Sequence, residues 1–124
     1  EEMAEAKKIL VVDDDRFVRL GLKELLTERG YNVETAEDGF EAIEKIKIHD
    51  YDLILMDLIL PGISGVDTMS RIMARKPKSK IIAMTAYSEE KSVGRAMAEG
   101  AKRCFLKPMD IETLETAMKE VSAV

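Results

Sequence analysis

Three carboxylates in a row, Asp13, Asp14 and Asp15, follow the apolar run Ile9-Leu10-Val11-Val12, and a further acid, Asp57, follows Leu53-Ile54-Leu55-Met56. Thr85 stands after Ile81-Ile82-Ala83-Met84, and Lys107-Pro108 after Cys104-Phe105-Leu106. If Asp13, Asp14 and Asp57 meet, each pair of unit charges about 5 Å apart repels by roughly 3 kcal/mol at an effective dielectric near 20. Such a cluster needs cations. Lys107 would offset one of the formal charges, and one hard divalent ion with oxygen ligands would offset the rest. Mg²⁺ suits carboxylates that leave several coordination positions to water and phosphate, with Mn²⁺ as a substitute. A zinc site is disfavoured, because His49 and Cys104 are the lone histidine and cysteine and neither stands near the acids. A metal-bound carboxylate with an open oxygen can attack phosphorus, and Asp57 is the candidate nucleophile. The Lys107 ammonium would offset charge on the phosphoryl oxygens, and the Thr85 hydroxyl could donate a hydrogen bond to one of them.

These residues can cooperate only if the fold gathers them. Short apolar runs alternate with longer stretches whose apolar residues are three and four apart, a βα pattern repeated along the whole chain. The strands are expected at Lys8 to Val12, Asn32 to Ala36, Asp52 to Met56, Lys80 to Met84 and Arg103 to Leu106. Runs such as Ile9 to Val12 and Leu53 to Met56 lack polar alternation, as parallel strands covered on both faces should. Helix one is capped by Asp15, carries Val18, Leu22, Leu25 and Leu26, and ends at Gly30. Helix two spans Gly39 to Ile48, with Ile43 and Ile46 facing inward and Glu41 and Lys45 paired on the wet side. Helix three follows Pro61-Gly62, which read as turn formers, and presents Val66, Met69 and Met73. Helix four starts near Ser88, with Glu89 and Glu90 in its first turn, and stops at Gly100. The last helix, opened by Asp110, buries Ile111, Leu114, Met118 and Val121. Such units give a singly wound layer or a doubly wound sandwich, and the doubly wound α/β form is the preferred reading. The candidate residues all stand at strand carboxyl ends, where ligand sites of open α/β sheets form.

The 124 residues, 46% of them hydrophobic, fit one domain over 1–124, with 1–7 as a flexible N-terminal segment. With 24 acids against 19 bases, the net charge of −5 argues against direct nucleic-acid binding. No apolar run approaches the roughly 18 to 20 residues of a membrane span, and the charged N-terminus is no secretory signal. A single cysteine fits a reducing cytoplasm. Met56, Met84, Met97 and Met118 read as core filling rather than as a pliable binding surface.

The pattern Ile9-Leu10-Val11-Val12-Asp13-Asp14, Asp57 followed by Pro61-Gly62 and Gly65, then Thr85-Ala86 and Lys107-Pro108, resembles the response-regulator receiver domain over nearly the entire chain. The resemblance implies a flavodoxin-like five-stranded parallel sheet in the order 2-1-3-4-5. It makes Asp57 the phosphoacceptor from a sensor histidine kinase or histidine phosphotransfer protein. Asp14 and Asp57 would bind Mg²⁺ directly, Asp13 mostly through water, and Ile59 through its main-chain carbonyl. Thr85 would be the switch hydroxyl, Lys107 the phosphoryl contact, and the Lys107-Pro108 bond cis. Ile59, Ala86 and Tyr87 would flank the pocket, and bulky Ile59 and Tyr87 would slow hydrolysis. A face made by helix four, strand five and helix five would change on phosphorylation and engage a downstream target or a second copy as a homodimer. The family often carries an aromatic residue three positions before the lysine; here that position is Cys104, and Phe105 should point to the other side of the sheet.

Each piece alone has a plainer reading: the acidic triplet as loop and helix cap, Asp57 as a turn acid, Thr85 as a strand end, Lys107 as a solvated base, Cys104 as a small buried hydrophobe, His49 as a surface residue near a helix end. Two other functions compete. A Mg²⁺-dependent phosphatase of the haloacid-dehalogenase kind would place a second acid two residues after its nucleophile, where Ile59 stands. A phosphorylation-independent interaction module would keep the pocket without using it. Flavin binding is opposed by Asp13 to Asp15, which would repel the flavin phosphate.

Overall fold

A computed structural model of the chain describes residues 7–86 and 90–122. The elements run β1 (Lys8–Val12), α1 (Arg16–Glu28), β2 (Asn32–Ala36), α2 (Gly39–Ile48), β3 (Leu53–Asp57), α3 (Gly65–Arg75), β4 (Ile81–Thr85), α4 (Glu90–Ala98), β5 (Arg103–Leu106) and α5 (Ile111–Ser122). All strands are parallel, in the order β2-β1-β3-β4-β5. β3 and β4 each begin and end one residue later than expected, so Asp57 and Thr85 are the last residues of their strands rather than the first loop residues. The expected start of helix four, at Ser88 and Glu89, and most of the expected N-terminal segment lie outside the described residues.

Successive strand residues point to opposite faces of the sheet, and the helices divide accordingly. On one face, Leu10, Val12, Ile54, Met56, Ile81 and Ala83 pack with Ala42 and Ile46 of α2, Val66, Met69 and Ile72 of α3, and Ala96 of α4. On the other, Ile9, Val11, Leu53, Leu55, Ile82 and Met84 pack with Leu26 of α1 and with Leu114, Ala117 and Met118 of α5. This is the doubly wound sandwich. Each fully buried aliphatic side chain of this kind contributes about 1.5–3 kcal/mol. Two apolar assignments differ from the periodicity: Leu25 of α1 and Met97 of α4 are exposed, because a helix lying on a sheet covers a stripe narrower than all of its apolar positions.

The helix starts are set locally. Asp15 Oδ1 accepts the N–H groups of Phe17 and Val18, Asp38 Oδ1 that of Glu41, and Ser64 Oγ that of Asp67. Gly62 adopts φ 79°, a left-handed conformation that turns the chain between β3 and α3. Gly65 opens α3 directly against the end of β3: its N–H donates to the Leu58 carbonyl at 3.0 Å, and a Cβ there would stand 2.1 Å from the Asp57 carbonyl oxygen and 2.5 Å from Leu58 Cα. Both neighbours are backbone, so neither can yield without moving the strand end. Gly65→Ala is therefore expected to lower the unfolding free energy by about 1–3 kcal/mol or more, measured by urea titration; an unchanged midpoint would refute this close approach.

Candidate functional site

The register of the sheet assembles the site. Val12 lies beside Met56, so Asp13, one residue on, comes level with Asp57 at the β1–β3 junction. β1 connects first to β2 on one side and the chain then crosses to β3 on the other, so this junction is the switch point of the winding. Asp13, Asp14 and Asp57 each present a carboxylate oxygen, all within 4.8 Å of one another. Lys107, following β5, reaches back across β4: its Nζ donates to Asp13 Oδ2 and, at 3.0 Å, to Asp57 Oδ2. The four residues line a cleft of ≈ 290 Å³ together with Asp15, Ile59 and Ala86.

Burial sets the energetics. Asp13 is 0% and Asp57 5% exposed, whereas Asp14 stands at the open rim. Asp13 Oδ1 accepts the Asp15 N–H at 2.9 Å and Asp57 Oδ1 the Ile59 N–H at 3.0 Å, so the turn backbone orients both carboxylates. Burial pushes the Asp57 carboxyl above the usual aspartate range and the Asp13 charge pushes the same way, against the Ile59 N–H and the Lys107 ammonium. Burial alone would lower Lys107, but its hydrogen bonds to Asp13 and Asp57 and their charges outweigh it and raise the amine. One ammonium shared between two buried carboxylates therefore leaves negative charge in excess. The donors are all hard oxygens and no imidazole or thiolate joins them, a set that fits Mg²⁺.

Thr85 is 2% exposed at the end of β4, and its carbonyl accepts the Lys107 N–H at 2.7 Å, tying the threonine strand to the lysine. Ala86 lines the cleft, Ile59 lines it and is 49% exposed, and the Lys107-Pro108 bond is cis. Tyr87, expected to flank the pocket, lies outside the described residues. Cys104 is half-buried, packed on the α2–α3–α4 face, and burial raises its thiol; Phe105 packs on the opposite face against the α1–α5 core. The alternation expected for these two residues is thus present. His49 caps α2 at the other end of the sheet from the acids.

One cation was not anticipated from the sequence. Arg19 Nη1 donates to the Asp13 carbonyl at 2.8 Å, and its Nη2 lies 3.9 Å from Glu37 Oε2. It secures the backbone beneath the acidic turn. The signal was present in the spacing: Arg19 stands four residues after the cap Asp15, whose carbonyl its N–H caps, so its side chain leans back toward the turn.

A doubly wound parallel sheet with an acidic, amine-bridged cleft at its switch point defines a flavodoxin-like domain whose carboxylates could hold a hard cation. Residues 9–119 match the response regulator receiver domain family. The chain is 37% identical over 117 residues to the chemotaxis protein CheY of Thermotoga maritima, covering 94% of this chain and 98% of that protein. It is 32% identical over 114 residues to the sporulation initiation phosphotransferase F of Bacillus subtilis, covering 92% of each. It superposes with a TM-score of 0.85 on the response regulator protein TrrA of Thermotoga maritima, solved in complex with Mg²⁺-BeF, at 40% identity and with 93% of this chain and 98% of that one covered. The chain belongs to the response regulator receiver domain family, signalling proteins of two-component phosphorelays.

The raised Asp57 carboxyl has a consequence for stability. Between the unfolded aspartate pKa and the higher folded value, the native chain retains a proton that the unfolded chain has released, so stability falls as pH rises through that window. Asn at this position carries no titrating group. Without divalent ions, Asp57→Asn is expected to show a higher urea midpoint than the wild type at pH 7, the gap closing as pH is lowered through the acid window. A variant less stable at pH 7 would mean that the Lys107 contact outweighs burial and the Asp13 repulsion.

Proposed function

We propose that the chain is one receiver unit in which Asp57 accepts a phosphoryl group from a phosphohistidine of a sensor histidine kinase or histidine phosphotransfer protein. The observation that carries this reading is the convergence of Asp13, Asp14, Asp57 and Lys107 in one cleft. Asp14, Asp57 and the Ile59 carbonyl would hold Mg²⁺, with Asp13 contributing through water. The bound ion would supply positive charge against the phosphoryl oxygens; the Mg²⁺-BeF complex of TrrA supports this choice of ion.

In the transfer, an Asp57 carboxylate oxygen forms a bond to phosphorus as the P–N bond of the donor breaks. The donor imidazole leaves with the electron pair. The Ile59 N–H and the Lys107 ammonium hold Asp57 in place beforehand, and Lys107 then turns toward the phosphoryl oxygens, relieving its contact with the carboxylate that has been esterified. The Thr85 hydroxyl is drawn toward the same group, and because the Thr85 carbonyl is bonded to the Lys107 N–H, the motion reaches β5 and the face of α4, β5 and α5. On β5, Leu106 lies beside Thr85 and Cys104, two residues earlier, beside Ala83, so this coupling proceeds without an aromatic ring at either position. The reading makes the chain a phosphorylated switch of the cytoplasm rather than an enzyme acting on exogenous substrates. The absence of an acid at position 59 favours it over the phosphatase alternative.

Incubation with acetyl phosphate and Mg²⁺ followed by intact-mass measurement is expected to add one phosphoryl group to the wild type. Asp57→Asn should gain none, omission of Mg²⁺ should abolish the gain, and a generic phosphate ester should show no sustained turnover. Mass added equally to Asp57→Asn, or continued ester hydrolysis, would sink the proposal.

Ile59 and Tyr87, apolar and bulky, would hinder the water that attacks the acyl phosphate. Phosphate loss from the purified, phosphorylated wild type should take far longer than seconds when followed by mass over time; decay within seconds would count against that role.

A further inference from the structure

Charge on this chain is unevenly placed. Between Asp67 and Glu89 the sequence holds no acid but has Arg71, Arg75, Lys76, Lys78 and Lys80, in a chain whose net charge is −5. Helices run opposite to the strands they follow, so the carboxyl ends of α2 and α3 lie at the end of the sheet away from Asp57. There, Lys47 of α2 and Arg71 and Arg75 of α3 line a groove of ≈ 380 Å³ whose floor is Ile43 and Ala74.

Helix ends attract cations, and Lys47 and Arg75 stand in the last turns of their helices. That accounts for neither Arg71, a turn earlier, nor the apolar floor between the two helices. The local carboxylates are also committed. Glu44 pairs with Lys47 at 2.8 Å, Asp50 with Lys76 at 2.7 Å, and Asp67 lies 3.6 Å from Arg95. Arg71 and Arg75, one turn apart on the same side of α3, have no carboxylate within ion-pair distance among the described residues, and Arg75 feels only the more distant charge of Glu44. Ile48, directly after Lys47, is 76% exposed.

We propose that the α2–α3 groove docks an acidic helical segment of a partner protein, its carboxylates meeting Arg71 and Arg75 and one apolar side chain resting on Ile43 and Ala74. Guanidinium forks match carboxylates in bidentate fashion. A nucleic acid is the poorer occupant: no aromatic ring lines the groove for base stacking, and its apolar Ile43 and Ala74 offer a phosphate backbone no partner. The groove shares no lining residue with the Asp57 cleft, so Asp57→Asn should leave it intact.

The test uses the full chain and a fluorescent synthetic helical peptide of repeating Glu with one Leu on the same face, its binding followed by anisotropy and by amide shifts. Binding should shift α2 and α3 amides and weaken by about tenfold in Arg71→Glu/Arg75→Glu, while Lys23→Glu on the far helix α1 leaves it within about twofold. Replacing the Leu of the peptide by Glu should also weaken binding. Arg71→Gln/Arg75→Gln, checked for an unchanged urea midpoint, separates loss of charge from loss of fold and should weaken binding as well. The proposal is overturned if the arginine variants bind like the wild type, if the all-Glu peptide binds as tightly, or if an RNA oligonucleotide or anionic phospholipid vesicles bind more tightly than the peptide.

Discussion

One ammonium standing between two buried carboxylates, with a third at the rim, is the constraint around which this molecule is arranged. Asp13 and Asp57 are taken out of water by the sheet, and the fold returns only partial compensation through Lys107 and two turn amides. The remainder is repulsion that a divalent ion or protonation of Asp57 would relieve. A cluster held in this state responds strongly to either event, because both act on a free-energy cost already stored in the folded chain.

The scaffold keeps that cluster rigid where geometry matters. Both acid-bearing strands are central in the sheet and buried on both faces, so the carboxylates sit on the least deformable part of the molecule. Gly65 lets α3 begin against the very end of β3, and Arg19 anchors the carbonyl beneath Asp13. The residues of the proposed response are on the other side of the cleft: Thr85 and Lys107 belong to the end of β4 and to the segment after β5, joined by a backbone hydrogen bond. β5 is an edge strand of intermediate and exposed residues, which makes it easier to displace than β1 or β3. With Cys104 at its centre, displacement there involves a small side chain rather than a ring.

Charge separates along the strand direction. Asp13, Asp14 and Asp57 gather at the carboxyl ends of the strands, while Lys47, Arg71 and Arg75 stand at the carboxyl ends of α2 and α3. A cation and a negatively charged protein segment would be attracted to different ends of the molecule, and neither would compete with the other.

Much of this was legible in the amino-acid order. Unbroken apolar runs such as Ile9 to Val12 and Leu53 to Met56 identified strands because parallel strands covered on both sides need no polar alternation, and Asp15 marked the start of α1 through local capping chemistry. The chemical identity of the acids, the threonine and the lysine, each after such a run, was equally plain, since it depends on nothing beyond the chain itself. Leu25 and Met97 were misplaced because helical periodicity counts apolar positions without knowing how much of a helix its neighbour covers. Arg19 went unnoticed because its partner is a carbonyl, which every residue possesses and no side-chain pattern advertises. Only the tertiary structure could decide that Asp13 and Lys107, 94 residues apart, share one hydrogen bond, or that Gly65 must lack a side chain. Contacts of that kind depend on the order in which strands pair, and strand pairing is settled by the packing of the whole sheet against its helices, an energy that no local stretch of residues contains.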